Sequence, residues 1–202
     1  MWSFFDRRIC LTTLPSEWAI AQQEFSRVGL EVTPFQSLPD IGPHQSFSKS
    51  EREILCQFYL SGAETLLHLE DDVVFRDLSH LEQALMELPD DWDIVYLGAN
   101  LLCGNNGEPW PIYYTPNLFK VMCAWTTHAV AYNRRCVLRI LERQPALHVQ
   151  MFDQYLSDLL PELNAFVIAP MVAYQRPRVS SIWNKGHEDY TEIFEASDAR
   201  LR

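Results

Sequence analysis

Three consecutive carboxylates, Glu70-Asp71-Asp72, stand inside the run LLHLEDDVVF at residues 66–75. Apolar, strand-like sequence flanks them on both sides. Like charges crowded beside a core repel one another and lose hydration, so something must offset them. A divalent cation does this directly, because hard Mg²⁺ or Mn²⁺ prefers carboxylate oxygen. Alternate residues of a strand share a face, so Glu70 and Asp72 are expected to point together and Asp71 away. Asp72 is the expected metal ligand. A solvated turn, or a cap for the helix near Leu78, is the other reading of the same three acids.

The elements that position this cluster can be read in outline. RICLTTL, residues 8–14, predicts a first strand. Pro15 breaks it, Ser16 is placed to cap a helix, and Trp18, Ala21, Phe25 and Val28 follow at helical spacing. Gly29 is a C-terminal stop. Residues 31–35 read as a second strand, with Pro34 marking an edge. Residues 36–49 read as a loop, and Ser50 with Glu53 as a capping box opening a helix. Thr65 to Leu69 is a third strand, so the acids sit at its carboxyl end, where open α/β sheets bind ligands. Leu78, Leu81, Leu85 and Leu88 mark a helix ended by Pro89, and DIVYL, residues 93–97, a fourth strand. Residues 99–118, with Gly104 to Gly107 and Trp110, read as a long irregular stretch. Strands follow at residues 120–125 and 128–132, then helices near residues 134–143 and 152–160 and a last strand at 166–169. The tail from Arg176 shows no periodicity. Strands alternating with helices predict an α/β domain with a mixed, mainly parallel central sheet flanked by helices. There is no internal repeat and no linker, so a single domain is expected across 1–202.

Composition excludes several classes. A formal net charge of −11 offers no basic surface for nucleic acid. No segment approaches the apolar length needed to span a bilayer, and the N-terminus has no h-region, so a cytoplasmic chain is expected. Five cysteines without CxxC spacing read as reduced, buried thiols.

Several segments, in order, resemble glycosyltransferase family 25, the lipooligosaccharide-type galactosyl- and glucosyltransferases of the GT-A fold. LTTLPSEW (11–18) resembles the family's opening strand and its "NLP". FSKSEREIL (47–55) resembles the segment carrying "SH", with Ser48-Lys49 near that place. LHLEDD (67–72) matches "LEDD", and WDIVYLG (92–98) matches the next strand. THAVAYNRRCVLRIL (127–141), FDQYLSD (152–158) and IAPMVAYQRPRVSSI (168–182) resemble the later motifs. The histidine of "SH" is absent, and Ser16-Glu17 replaces the basic pair after "NLP".

The resemblance implies a GT-A-like domain with a donor-binding half at 1–98 and an acceptor-side half at 99–202. It implies an inverting transferase moving a hexose, galactose or glucose, from a UDP-type nucleotide-diphosphate sugar to a glycan or lipid-linked glycan. The place would be the cytoplasm or the inner face of a membrane, in lipopolysaccharide biosynthesis, with peripheral membrane contact. Mn²⁺ or Mg²⁺ would be held by Asp72, helped by Glu70, with His187 as a third ligand or merely a surface histidine. Thr13, Ser48, Glu70 and Asp71 would line the donor site. Asp153 would be the base or only a helix cap. Trp125 and His128 would face the acceptor, with Trp110, Tyr113 and Tyr114 in a stacking platform; core packing is the plain reading for each. Arg176 and Arg178 would touch phosphates or solvent, and Ser180 and Ser181 fall at the matched family positions.

Three other classes are weighed against this. A sugar nucleotidyltransferase would show a glycine-rich basic loop after the first strand, and LTTLPSEW has neither. A degenerate, non-catalytic sugar-nucleotide-binding protein would not need all three acids and Asp153. A metal phosphohydrolase would spread its His and Asp ligands along the chain.

Overall fold

The computed structural model describes residues 1–102, 111–143, 150–179 and 187–202. Cys103, Gly104 to Gly107, Trp110, Ser180 and Ser181, on which some expectations rested, lie outside the described residues. The strands are β1 (Arg7–Thr12), β2 (Thr33–Gln36), β3 (Thr65–Glu70), β4 (Val73–Phe75), β5 (Ile94–Tyr96), β6 (Ile112–Thr115), β7 (Leu118–Lys120), β8 (Ala129–Asn133), β9 (Ala165–Ile168), β10 (Ala173–Gln175), β11 (Arg178–Val179) and β12 (His187–Glu188). The helices are α1 (Pro15–Arg27), α2 (Pro43–Ser61), α3 (Leu81–Met86), α4 (Arg134–Arg143), α5 (Phe152–Leu159) and α6 (Thr191–Asp198).

Eight strands form one sheet in the order β2-β1-β3-β8-β5-β9-β7-β6. Only β8 and β7 run against the rest, so the sheet is mixed but mainly parallel. β3 lies inside it, between β1 and β8, which explains its near-continuous apolar run. Its side chains divide between two cores. Leu66 packs with Ile54, Leu55 and Phe58 of α2 and with residues of α4 and α5. Leu67 and Leu69 pack with Ala21 and Phe25 of α1 and Leu81 and Leu85 of α3.

The first βα unit forms as the sequence predicts, with one change. Helix α1 begins at Pro15 itself, with Leu14 as its extended N-cap and no side-chain cap from Ser16. Proline suits this first position, where no N–H is needed and its φ is already helical. At the other end Gly29 takes φ +66°. Its N–H reaches Ser26 O, and the Leu30 N–H reaches Phe25 O at 2.9 Å. This is a Schellman closure that favours glycine at the left-handed position.

Other boundaries moved. Helix α2 starts at Pro43, inside the expected loop, so Ser50 is mid-helix rather than a cap. Its hydroxyl instead donates back to Ser46 O at 2.7 Å. α3 is short, and the strand expected at 120–125 falls earlier, as β7 at Leu118–Lys120, with an isolated bridge between Asn100 and Trp125 beyond it. The aperiodic tail contains β11, β12 and α6. Cys10, Cys56 and Cys136 are free, but Cys123 is disulfide-bonded, a correction to the all-thiol expectation. No local cysteine spacing announces such a bond. Among the described residues no helix is long and apolar enough to cross a membrane.

Candidate functional site

Strand register brings three segments together at the acids. β1 runs parallel to β3 with Leu11 opposite Glu70, so Thr12 and Thr13 reach Asp71. Thr12 Oγ1 donates to Asp71 Oδ2 at 2.8 Å, and the Thr13 N–H donates to the same oxygen at 3.0 Å. β4 leaves the cluster and pairs antiparallel with β10, Val73 opposite Gln175. That register leads the chain after β10 back past the acids. The Arg176 N–H donates to Asp72 O at 2.7 Å, and Gln175 Nε2 to Asp72 Oδ2 at 3.3 Å. Arg178 then bridges the pair, with Nη1 at 2.5 Å from Asp71 Oδ1 and Nε at 2.9 Å from Asp72 Oδ2. Arg176 itself pairs with Glu17 of α1 at 2.6 Å.

The acids divide as strand alternation predicts, but for a different reason. β3 ends at Glu70, and Asp71 and Asp72 form a turn, where the period of two no longer applies. Glu70 and Asp72 do face one space, a cleft of about 420 Å³ also lined by Phe47, Trp125, Thr127 and Asp153. Asp71 turns into an adjoining cleft of about 300 Å³, with Leu11, Thr13, Gln36, Ser46 and Phe47. Phe47, Glu70 and Arg178 line both, so the two spaces meet at the cluster.

Burial governs the charges here. Glu70 accepts a bond from Thr127 Oγ1 at 3.0 Å. Burial, then the charges of Asp72 and Glu51, holds its carboxyl well above the usual range, against the pull of Arg178 and Thr127. Burial also raises Asp72, and Arg178 opposes it. Burial alone would lower the Arg178 guanidinium, but Asp72, Asp71 and Glu70 raise it, so it stays charged. Asp153 lines the larger cleft in the first turn of α5, whose N-cap is Met151. Its carboxyl is raised by burial, while the N–H groups of Gln154 and Thr126 draw it down.

Beneath Glu70 lies a buried pair that the sequence reading missed. His68 Nε2 is 3.0 Å from Glu51 Oε1, and both side chains are fully buried. His68 Nδ1 reaches Thr127 O at 3.3 Å. The chain Glu51, His68, Thr127, Glu70 thus steadies the cleft wall, where neighbouring Thr126 holds a left-handed φ of +71°. A threonine there is strained and persists only when its surroundings fix it. The signal was available: Glu51 shares a helical stripe with Ile54, Leu55 and Phe58.

Among the expected site residues, Thr13, Glu70, Asp71, Asp72, Trp125 and Asp153 line the joined cleft. Ser48 and His128 line neither half. Ser48 is buried in α2, directly after the cleft-lining Ser46 and Phe47. His128 is fully buried, edge-on to Phe194 at 4.9 Å. Tyr113 and Tyr114 stand on the far edge strand β6, against Phe119 and Phe166. The backbone of His187 pairs with Val179 in β12. Tyr190 and Ile193, from the tail, complete the larger half, and no periodic pattern marks them.

The donors suit a hard divalent cation. Asp72 Oδ1 is buried with no hydrogen-bond partner, on the wall it shares with Glu70. Among the described residues no group of three His, Cys, Asp or Glu is assembled for a metal. Mg²⁺ does not need such a cage, since one or two carboxylates with phosphate oxygens and water suffice.

No protein-family model matches the chain, and no curated protein matches it. Solved structures do. Protein A197 from STIV superposes with a TM-score of 0.52 at 13% identity, covering 84% of this chain and 85% of its own. A glycosyltransferase involved in the glycosylation of the major capsid of PBCV-1 gives 0.47 at 12% identity, covering 79% and 80%. The glycosyltransferase GlyE of Streptococcus pneumoniae TIGR4 gives 0.49 at 10% identity, covering 98% of this chain but 62% of that one. The likeness to A197 is one of fold alone, and the two glycosyltransferase superpositions, under 0.5, carry no functional weight.

Proposed function

We propose that this chain is an inverting, divalent-metal-dependent glycosyltransferase that moves a hexose from a nucleotide-diphosphate sugar to a glycan acceptor. The observation that carries the reading is the joined cleft. Its two halves meet at a buried acidic cluster, and a carboxylate on a helix N-terminal turn stands in one of them. The smaller half, with Leu11, Thr13, Gln36 and Phe47, suits a nucleoside, and Asp71 anchors its wall. The larger half suits the sugar and the acceptor, with Trp125 offering an aromatic face.

Asp72, with Glu70 beside it, would hold Mn²⁺ or Mg²⁺; the bound ion would supply charge for the leaving diphosphate. The chain's own residues do the rest. Asp153 takes the proton from the acceptor hydroxyl, and its raised carboxyl moves it toward the range where a base works best. Glu70, steadied by Thr127, accepts a hydroxyl bond from the sugar. His187 is a further ligand under this reading. The nucleotide is taken as UDP, the sugar as galactose or glucose, and the acceptor as a glycan or lipid-linked glycan met at the inner face of a membrane. These follow the family resemblance.

Calorimetry with a panel of nucleotide sugars and Mn²⁺ tests this. One donor should bind in a metal-dependent way, and Asp72→Ala should weaken it at least tenfold. Asp153→Asn should lower turnover by roughly 10²-fold or more with donor binding unchanged. Absence of metal-dependent nucleotide binding would falsify the transferase reading. Unaltered turnover in Asp153→Asn would remove Asp153 from the mechanism.

A further inference from the structure

Both oxygens of Asp71 are already engaged, one by Thr12 and Thr13 and the other by Arg178. Asp72 gives Oδ2 to Arg178 and Gln175, and keeps Oδ1 bare and buried. The place at which a cation would neutralise the two aspartates is thus held by a guanidinium. Arg178 reaches it from β11, 107 residues further along the chain. It also lines both halves of the cleft, where an anionic ligand would lie. A carboxylate gripped by a guanidinium is a poor ligand for a second cation, because the two positive charges share one anion at contact distance.

We propose that Arg178 is an exchangeable counter-ion. It neutralises Asp71 and Asp72 in the ligand-free protein, yields Asp72 to a divalent cation, and then donates to a diphosphate in the same cleft. Arg178 sets the metal affinity of the empty site low. It also makes metal and diphosphate bind together, because each favours the arrangement that the other needs. The inference shares with the proposed function the divalent cation at Asp72, but needs neither a sugar donor nor Asp153.

The test uses metal alone. Mn²⁺ binding, followed by electron paramagnetic resonance of the free ion, should be at least tenfold tighter in Arg178→Gln than in the parent, with Arg178→Lys between them. Because Arg178→Gln leaves two buried carboxylates exposed to each other and can lose its fold, the parent protein carries a second measurement. Its ¹⁵Nε arginine spectrum should show one resonance, absent from Arg178→Lys, that shifts or broadens as diamagnetic Mg²⁺ is added. Equal or weaker Mn²⁺ binding in Arg178→Gln overturns the proposal. So does an Arg178 resonance unmoved at Mg²⁺ saturation, or no metal binding to any of the proteins. Neither measurement uses a nucleotide sugar, so the transferase reading can fail while this one holds.

Discussion

Burial decides the protonation of His128. Its ring is enclosed, touching Thr126 Oγ1 at 3.2 Å and Phe194, and desolvation draws its pKa down to about 4. An unfolded histidine titrates near 6.5. Between those values the unfolded chain binds the extra proton and the folded one does not, so stability falls as the pH drops from about 6.5 to about 4. Urea titrations at pH 7, 5.5 and 4, in chelator, should show the parent losing on the order of 3 kcal/mol more than His128→Leu across that window. Parallel curves for the two proteins would rule out His128 as the acid-labile group. The same residue shows what was legible at this scale. A histidine between Thr127 and Ala129 has no local mark of which way it points; the pairing of β8 with both β3 and β5 decides that. The acids were legible because three charges inside an apolar run need a partner. That the partner is Arg178 was not, since nothing in the local sequence near either end encodes a contact 107 residues long.

At the scale of elements, the crossing of β5 and β10 fixes the back of the site. Gly98 follows β5, and a Cβ placed there would lie 1.8 Å from the Ala173 carbonyl oxygen. Leu97 O accepts the N–H groups of Val172 and Ala173 at 2.9 and 3.1 Å, so the two segments cannot part without losing both bonds. Gly98→Ala should therefore destabilise the fold by about 3 kcal/mol or more. It should also loosen Gln175 and Arg176, which β10 aims at the acids. Denaturant unfolding measures the first effect, and an unchanged midpoint would show that the crossing relaxes freely. The unit at 7–27 and the strands at 65–70 and 94–96 were readable because periodic runs end in strong stops, whereas β4, at three residues, was not. The start of α2 was not, because a proline in a Ser-, Pro- and Gly-rich stretch reads as loop, although exposed Pro43 suits the first helical position and, of the two, only Ser50 is buried. β10 and β11, at three and two residues, are too short to carry a period.

Over the whole molecule, the cleft is a product of strand order rather than of sequence order. β3 lies beside β8, and β10, paired to β4, leads the chain on to β11 and Arg178. The smaller half of the cleft is lined by residues before 99 together with Arg178, and Arg178 lines the larger half as well. A chain stopped at residue 172 would keep β3 and its acids but lose β10, Gln175, Arg176 and Arg178. It should show no cooperative urea transition, because carboxylates whose native burial needs a partner would face one another without it. A sharp transition in that fragment would show that the first part folds on its own. The same feature bears on synthesis. A chain still on the ribosome carries Glu70, Asp71 and Asp72 as loose, hydrated acids until Arg178 has cleared the exit tunnel, so this pocket is among the last parts of the molecule to take its native form.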